Sequence, residues 1–590
     1  MGKFLHIQQF NKALDYPDLQ PMLRQLGYTL LGNGQSFQQF GQKAKKIDEA
    51  KESWLLDIYP KNAFKAFENL AELDAEFSGL YFHKMKFSVD LFRDVFGVKS
   101  LYYYFENDLL IASNELRAIL ASLSKIPEID KGSISAYFNP AVDDDFVNNS
   151  TFYTSIKRVL PGEILHFRAG KVESDFYWQP KLKNKVEPIS SFSERLKASV
   201  LAKISGQESL AANLSGGLGS SSICAIASSS SSSPLKGIFF DTKEKASFEK
   251  KYAEEVSQQS GFELDVVNPV DNPYESIRKI TRLTCKPESM IIPSTIFLPI
   301  MQSATKNGSK VLLSGHGGDS TVGSGLEYIR QLVSKFKIQK GKKAILKKWL
   351  LLNEDEAEPF DNYFIQQIIY HANVSKLKLS LFLLLSGPIA RKYLLKNLTK
   401  VYLPTNRFPT ILVQYPKPKN NHNRLANWYQ NFNNKHPYNY IKNSLLNLSV
   451  NFMETMDALS REHGLVSTYP FFDKELIKIA ATFSSETNFA NGYLRGTLRE
   501  SMKGILPENV RLRAEKAAFN DFGLQSFLKL ENECSSLFGP KHLVWTYVNK
   551  ESYELHLSSV KQEMNPKGHH IWLCSRVLYL AIWLDEFYTS

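Results

Sequence analysis

The chain is poor in cysteine, and its few cysteines form no recognisable pair. Its 590 residues include four cysteines, none in a Cys-x-x-Cys spacing: Cys224, Cys285, Cys534 and Cys574. Cysteines this far apart indicate neither a zinc site nor a disulfide framework. A reducing, cytoplasmic compartment is therefore expected.

Long hydrophobic runs and a targeting segment are also lacking. The longest apolar cluster, residues 379–385, is far shorter than the roughly 20 residues of a transmembrane helix. Residues 1–6 contain no hydrophobic core of a signal peptide. We therefore expect a soluble protein with no transmembrane segment.

The composition is that of a folded protein, with 43% hydrophobic and 22% charged residues. A chain of this length has more residues than one hydrophobic core usually organises, so at least two domains are expected. The formal net charge of +12 is small for 590 residues. Charge alone does not indicate nucleic acid as a partner, and none is expected.

One glycine- and serine-rich stretch has the layout of a phosphate-binding turn. The apolar run 210–212 leads through Leu214 into Ser-Gly-Gly-Leu-Gly-Ser-Ser at 215–221, and 223–227 has the composition of a helix. Glycines let the backbone approach an anion, and the N–H groups of a helix start favour negative charge. No Gly-Lys-Ser/Thr follows, so this is not a Walker loop. The alternative interpretation is a flexible loop leading to a solvated serine run at 228–233.

A second glycine-rich turn follows a buried strand at 310–319, Lys-Val-Leu-Leu-Ser-Gly-His-Gly-Gly-Asp. The intervening segments 236–241, 248–256 and 262–267 alternate between strand and helix patterns. This alternation predicts a doubly wound parallel sheet with its ligand at the carboxyl ends of the strands. A neutral His316 there could accept a proton near neutral pH, or it could be a structural hydrogen-bonding group.

These motifs resemble the asparagine synthetase family. The first turn is similar to its pyrophosphate loop, Ser-Gly-Gly-Leu-Asp-Ser, with Gly219 in place of the aspartate. Residues 93–120 resemble its glutamine amidotransferase domain, and 457–473 and 495–519 resemble later elements, in family order. The sequence Gly-His-Gly-Gly-Asp-Ser is similar to that of the lasso-peptide macrolactam cyclases.

The resemblance implies a mixed fold, α/β plus α+β. Residues 1–185 are expected to form a degenerate, Ntn-type glutamine amidotransferase-like β-sandwich. Residues 186–590 are expected to form an ATP-pyrophosphatase domain with a doubly wound parallel sheet, helical additions and an insertion at about 331–440. The family's glutaminase uses an N-terminal cysteine as nucleophile, whereas this chain has Gly2. We therefore expect this domain to be structural and glutamine not to supply nitrogen.

The resemblance also implies ATP and Mg²⁺ as cofactors, and a role for each site residue. His316 and Lys516 would be catalytic, the first as a base and the second as a cation beside the α-phosphate. Asp319 would bind Mg²⁺, with Gly219 in place of the usual second ligand. The residues expected to bind ATP and pyrophosphate are Leu214, Ser215, Gly216, Gly217, Ser220, Ser221, Ser314, Gly315 and Gly317.

The hypothesis at this point is adenylation of a carboxylate followed by amide-bond formation, most specifically macrolactam closure of a precursor peptide. The partners would be ATP, a peptide or amino-acid carboxylate, and a small leader-peptide-binding protein. In the 457–473 segment, Val466 and Thr468 replace a Glu and an Arg of the family pattern. These two changes put in question the substrate contacts that this segment would make. Two alternatives stay open: a pseudoenzyme that binds a peptide or partner without turnover, and an ammonia-dependent asparagine synthetase.

Overall fold

The computed structural model describes most of the chain. It leaves out residues 1, 11–19, 27, 35–36, 43–44, 49–51, 61–68, 139–148, 169, 179–184, 244–248, 291, 353–358, 373, 397–449, 515–519, 535–537, 563–567 and 590. Lys516 and the part of the predicted insertion beyond residue 396 therefore lie outside the described residues.

The described part of residues 3–176 contains two six-stranded antiparallel sheets. The strands are β1 Lys3–Gln9, β2 Thr29–Gly34, β3 Phe37–Gln42, β4 Lys45–Asp48, β5 Glu52–Tyr59, β6 Glu76–His83, β7 Ser88–Arg93, β8 Tyr102–Glu106, β9 Leu109–Ser113, β10 Ile156–Arg158, β11 Glu163–Arg168 and β12 Lys171–Phe176. One sheet has the order β10-β8-β9-β1-β3-β2, and the other has the order β12-β11-β7-β6-β5-β4. Phe4 and Leu110 of the first sheet share a core with Leu80 and Leu91 of the second.

Alternating side chains explain why the second sheet is buried on both faces. On β5, Leu55 points into the core between the sheets. Its neighbours Leu56 and Ile58 instead join a separate cluster with Phe77 and Phe92. Successive side chains of a strand point to opposite faces, so consecutive apolar residues such as Leu55 and Leu56 supply both layers.

A five-stranded parallel sheet forms the second core. Its strands are β13 Leu210–Asn213, β14 Leu235–Phe240, β15 Glu263–Val267, β16 Val311–Ser314 and β17 Val466–Thr468, and their order in the sheet is β15-β14-β13-β16-β17. The chain runs outward from β13 to β15 and then returns to place β16 on the other side of β13. The mixed α/β class is confirmed, and this reversal sets the position of the site.

Some helices cover the sheets, and others form a separate unit with a core of its own. The described helices are α1 Gln20–Gln25, α2 Leu116–Ser122, α3 Lys131–Tyr137, α4 Ile189–Ile204, α5 Leu218–Ser230, α6 Glu249–Ser260, α7 Pro273–Thr284, α8 Phe297–Lys306, α9 Glu327–Ser334, α10 Ile338–Leu352, α11 Phe360–His371, α12 Lys376–Leu385, α13 Pro388–Lys396, α14 Val450–Glu462, α15 Lys474–Ala480, α16 Ser485–Asn488, α17 Gly496–Ser501, α18 Glu508–Arg511, α19 Asn520–Cys534, α20 Lys550–Gln562 and α21 Gly568–Phe587. Helices α9 to α13 share a core around Ile329, Phe364 and Phe382. No helix in the described part of the chain is long and apolar enough to cross a membrane.

The serine run begins inside a helix, which corrects the interpretation of 228–233 as a solvated connection. Ser228, Ser229 and Ser230 form the end of α5. The Ser229 hydroxyl donates to the carbonyl of Ile226, and the Ser228 hydroxyl donates to the carbonyl of Ser260. These bonds satisfy side chains that otherwise compete with helical structure.

A buried cluster of ions joins the antiparallel sheets to α14. The carboxylate of Glu454 lies 3.3 Å from Arg93, 3.5 Å from Arg158 and 3.2 Å from Lys286. Burial alone would raise the pKa of Glu454, but attraction to Arg158, Lys286 and Arg93 outweighs it and lowers the pKa to about 2. Glu454 is therefore charged at neutral pH and holds three buried cations.

Candidate nucleotide-binding site

The two glycine-rich turns predicted from the sequence meet at one edge of the parallel sheet. Strands β13 and β16 are neighbours, and Asn213 at the end of one pairs with Ser314 at the end of the other. The strand order reverses between these two strands. In open α/β sheets, ligands bind in the crevice outside the carboxyl ends at such a reversal.

The first turn, Ser215–Gly217, is fixed by close backbone packing and by two serine hydroxyls. Gly216 has φ +73°, and a Cβ there would lie 2.4 Å from the main-chain oxygen of Glu249. The Ser220 hydroxyl accepts from the Ser215 N–H at 3.1 Å and lies 3.0 Å from the Ser215 hydroxyl. The turn therefore needs glycine, and it directs the start of α5 at the crevice, where helix N–H groups favour an anion.

The second turn packs directly against the first. A Cβ on Gly315 would lie 2.3 Å from the main-chain nitrogen of Ser220, so only glycine fits. A Cβ on Gly219 would lie 3.0 Å from the main-chain oxygen of Gly315. Gly317 has φ +93°, and a Cβ there would lie 2.5 Å from the ring of Phe472. Position 219, where the asparagine synthetase pattern has an aspartate, therefore lies at a tight contact between the two turns.

His316 lies in the second turn, next to three aromatic rings. Its ring centroid lies 4.7 Å from that of Phe452, 5.7 Å from Phe472 and 6.0 Å from Tyr469. The residue is exposed, and its main-chain N–H donates to the Ser314 hydroxyl at 3.2 Å. Its imidazole is therefore accessible from the crevice while its neighbours restrict its orientation.

Asp319 forms an ion pair with Arg495. The Arg495 Nη1 lies 2.6 Å from the Asp319 Oδ1, and the aspartate side chain is 53% exposed while the arginine side chain is 15% exposed. Arg495 precedes α17 in the left-handed conformation, with φ 59°. Such a conformation is uncommon for a residue other than glycine and is often found at functional sites.

Two more arginines, Arg499 and Arg513, line the same crevice. Arg513 pairs with Glu249 and donates to the carbonyl of Gly216 at 3.3 Å, which ties it to the first turn. Arg499 is buried, and burial together with the charges of Arg495, Arg511 and Arg513 lowers its pKa to about 9. It remains charged at neutral pH, in a strongly positive environment.

The crevice is a pocket of about 380 Å³, within the size range of sites for small ligands. Of the residues predicted for the site, the lining includes Ser215, Gly216, Gly217, Ser220, Ser314, Gly315, His316, Gly317 and Asp319. Leu214 and Ser221 are fully buried and are not among the lining residues, while Lys516 lies outside the described residues. Sequence reasoning gave no role to Arg495, Arg499 or Arg513, although all three lie in the 495–519 segment that resembles the family.

The comparison with protein families covers the segment that contains both glycine-rich turns. Residues 191–585 match the model of asparagine synthase. The chain belongs to the asparagine synthase family. Residues 18–178 match the glutamine amidotransferase domain, which includes most of the two antiparallel sheets.

Two relatives named as asparagine synthetases share about a quarter of the aligned residues with this chain. The chain is 24% identical over 452 residues to the glutamine-hydrolyzing asparagine synthetase 1 of Bacillus subtilis, covering 72% of this chain and 64% of that protein. It is 25% identical over 297 residues to a probable glutamine-hydrolyzing asparagine synthetase of Acanthamoeba polyphaga mimivirus, covering 46% of this chain and 50% of that protein. The match therefore spans less than two thirds of either relative.

Among solved structures, a glutamine phosphoribosylpyrophosphate amidotransferase from B. subtilis, complexed with ADP and GMP, is 9% identical to the chain. The alignment covers 45% of this chain and 81% of that one, with a TM-score of 0.19. A TM-score this low does not establish that the two chains share a fold.

Proposed function

We propose that this protein forms an amide bond by adenylating a carboxylate with ATP, with release of AMP and pyrophosphate. The observation that carries the proposal is the meeting of the two glycine-rich turns at the switch point of a parallel sheet, in a member of the asparagine synthase family. The start of α5 supplies helix N–H groups for a triphosphate, and three lining arginines supply positive charge.

The lining residues divide between the two steps of the reaction. A carboxylate oxygen first attacks the α-phosphorus, and pyrophosphate leaves toward Ser215 and Ser220, whose hydroxyls lie at the start of α5. Arg499 and Arg513 oppose the negative charge that develops on the leaving group. An amine then displaces AMP, and His316 accepts its proton. Lys516, outside the described residues, keeps its predicted role beside the α-phosphate.

The described residues do not fit a Mg²⁺ ion held by the protein. Mg²⁺ is usually bound through one or two carboxylates together with substrate phosphates. In the described lining the sole carboxylate is Asp319, and it is paired with Arg495. Position 219 has no side-chain oxygen. No step of the proposed reaction is therefore routed through a protein-bound metal.

We further propose that the acceptor amine is not generated from glutamine. The four cysteines are all buried. Burial raises the pKa of the thiols of Cys224, Cys534 and Cys574 to about 12 and raises that of Cys285 further. A thiol with such a pKa is protonated at neutral pH and is a poor nucleophile. These cysteines therefore do not supply the glutaminase nucleophile.

A thiol-reactive reagent tests this part of the proposal. All four cysteines should remain unmodified in the native protein at pH 8 and should all react once the protein is unfolded in urea, which serves as the control. Counting modified thiols by mass spectrometry distinguishes the two states. A thiol that reacts rapidly in the native protein would make glutamine a credible nitrogen source again.

The acceptor that we propose is an amino group of the same peptide, so that the product is a macrolactam. The supporting observation is that an accessible imidazole, His316, stands where the family pattern has a glutamate. The named relatives instead favour asparagine formation from free aspartate as the second candidate.

One assay with two substrate sets separates the two candidates. The first set is aspartate, ammonium and ATP, and the second is ATP with synthetic peptides that have a free amino terminus and an internal Asp or Glu. The macrolactam proposal predicts loss of one water from a peptide, dependent on ATP, and no asparagine. Asparagine from the first set, with every peptide unchanged, would overturn it in favour of the second candidate.

A further inference from the structure

Among the described residues, the lining of the pocket has more guanidinium groups than carboxylates. Its described lining contains the cations Arg495, Arg499 and Arg513 and the single carboxylate Asp319, a formal excess of two positive charges. At position 219, where the family resemblance places a second carboxylate, a Cβ would lie 3.0 Å from the oxygen of Gly315. The lining thus favours a polyanion more than a divalent cation.

Arg495 holds Asp319, the one carboxylate in the described part of the lining. Its Nη1 lies 2.6 Å from the Asp319 Oδ1, which places a positive charge beside the oxygen that a metal ion would use. The main-chain N–H of Arg495 donates to the carbonyl of Ser324 at 3.0 Å, which anchors the left-handed backbone. The fold therefore fixes this arginine against the second turn despite its unfavourable φ.

Arg499 is a buried cation whose hydrogen bonds to the described residues all go to main-chain carbonyls. Its guanidinium donates to the carbonyls of Leu494 at 2.7 Å and Arg513 at 2.9 Å, and to that of Arg511. Within the described residues it makes no salt bridge to a carboxylate. Buried charges are ordinarily paired, so this arginine indicates an anionic ligand in the pocket.

We infer that the triphosphate of ATP is held in this pocket by arginine guanidinium groups, with Arg495 in the place of a protein-bound Mg²⁺ beside Asp319. This inference rests on the proposed function, since it takes the pocket to be the ATP site. Guanidinium groups bind phosphate oxygens through two parallel N–H bonds and keep their charge at any physiological pH. ATP binding by this protein is therefore largely independent of divalent cations.

Calorimetric titration of the wild-type protein with ATP, in excess EDTA and then in excess Mg²⁺, tests the inference. The affinity in EDTA should lie within about tenfold of the affinity in Mg²⁺, a difference of about 1.4 kcal/mol or less. Binding that is measurable only with Mg²⁺ would overturn the inference and leave the proposed function standing. If ATP fails to bind under both conditions, the inference and the proposed function are both wrong.

A variant of Arg495 adds a signature that a purely structural role would not produce. Arg495→Gln should weaken ATP binding in EDTA by about 10- to 100-fold, the usual effect of removing a hydrogen bond to a charged group. Added Mg²⁺ should restore part of the affinity, because the variant removes the positive charge that Arg495 places beside the Asp319 Oδ1. The control Arg391→Gln, which changes an exposed arginine of α13, should bind ATP like the wild type.

A conservative variant keeps the test valid if Arg495→Gln does not fold. Arg495→Lys retains the charge and loses the forked donor, so its loss of affinity in EDTA should be smaller than that of the glutamine variant. Thermal unfolding of each variant checks the fold. If a folded Arg495→Gln binds ATP in EDTA as tightly as the wild type, Arg495 does not hold the triphosphate.

Discussion

Replacing Gly315 with alanine should reduce AMP-forming turnover by about 100-fold or more, the effect expected when a catalytic contact is displaced by about 1 Å. A Cβ at this position would lie 2.3 Å from the main-chain nitrogen of Ser220 and 2.5 Å from its Cα. Both are backbone atoms at the start of α5, so rotation of a side chain cannot relieve the overlap. The two turns must separate, and the helix N–H groups then move away from the phosphates.

Gly539→Ala is the matched control for this prediction. A Cβ at Gly539 would meet nothing within 4 Å, so the same chemical change should leave turnover unaltered. ATP-dependent release of AMP is the measurement, with thermal unfolding to show that both variants are folded. Turnover by a folded Gly315→Ala protein equal to that of the wild type would show that the contact between the turns does not position the nucleotide.

Replacing Glu454 with glutamine should lower the free energy of unfolding by about 3–5 kcal/mol, the range found when one member of a buried ion pair is removed. The substitution leaves the buried cations Arg93, Arg158 and Lys286 without their shared carboxylate. Arg93 and Arg158 belong to the antiparallel sheets, whereas Lys286 follows α7. Loss of the carboxylate therefore weakens the packing of these sheets against the rest of the chain. Urea unfolding measures the change.

The control for Glu454 is Glu475→Gln, the same change in an exposed pair. Glu475 lies 2.6 Å from Lys478 with its side chain 48% exposed, and its loss should cost about 0.5 kcal/mol or less. Acid titration gives a second readout. Because the pKa of Glu454 is lowered to about 2, its contribution is fully present above about pH 4.5 and is lost as the pH falls toward 2. The acid dependence of stability should be shallower in Glu454→Gln, and equal costs for the two variants would contradict the proposed role of the buried cluster.

The sequence was sufficient to locate both turns, because their chemistry is local. Gly216 and Gly317 adopt positive φ, and a strand followed by glycines and a helix start is readable without tertiary information. Once two such turns follow strands of one parallel sheet, their proximity also follows from the topology. That Gly315 packs on the backbone of Ser220 depends on the distance between two strands, and no sequence pattern specifies it.

The arginines of the site were harder to predict. Arg499 lies in α17 and Arg495 directly precedes that helix, and in the sequence their spacing of four residues is typical of an ordinary helix face with exposed arginines. Their role arises because α17 packs beside the second turn and buries Arg499 without a carboxylate partner within the described residues. The balance of positive and negative side chains around the pocket arises only when the chain has folded, so a local sequence pattern does not predict it. The same holds for Glu454, whose partners are up to 361 residues away in the sequence.

The most direct test of adenylation at this pocket is to identify the product formed from ATP labelled at its α-phosphate. The labelled ATP is supplied with either acceptor set, aspartate with ammonium or the synthetic peptides. Adenylation predicts labelled AMP from at least one set with the wild type and little from Gly315→Ala. Labelled ADP as the product, AMP formation unchanged in Gly315→Ala, or no product from either set would contradict it, and the last result would favour a pseudoenzyme.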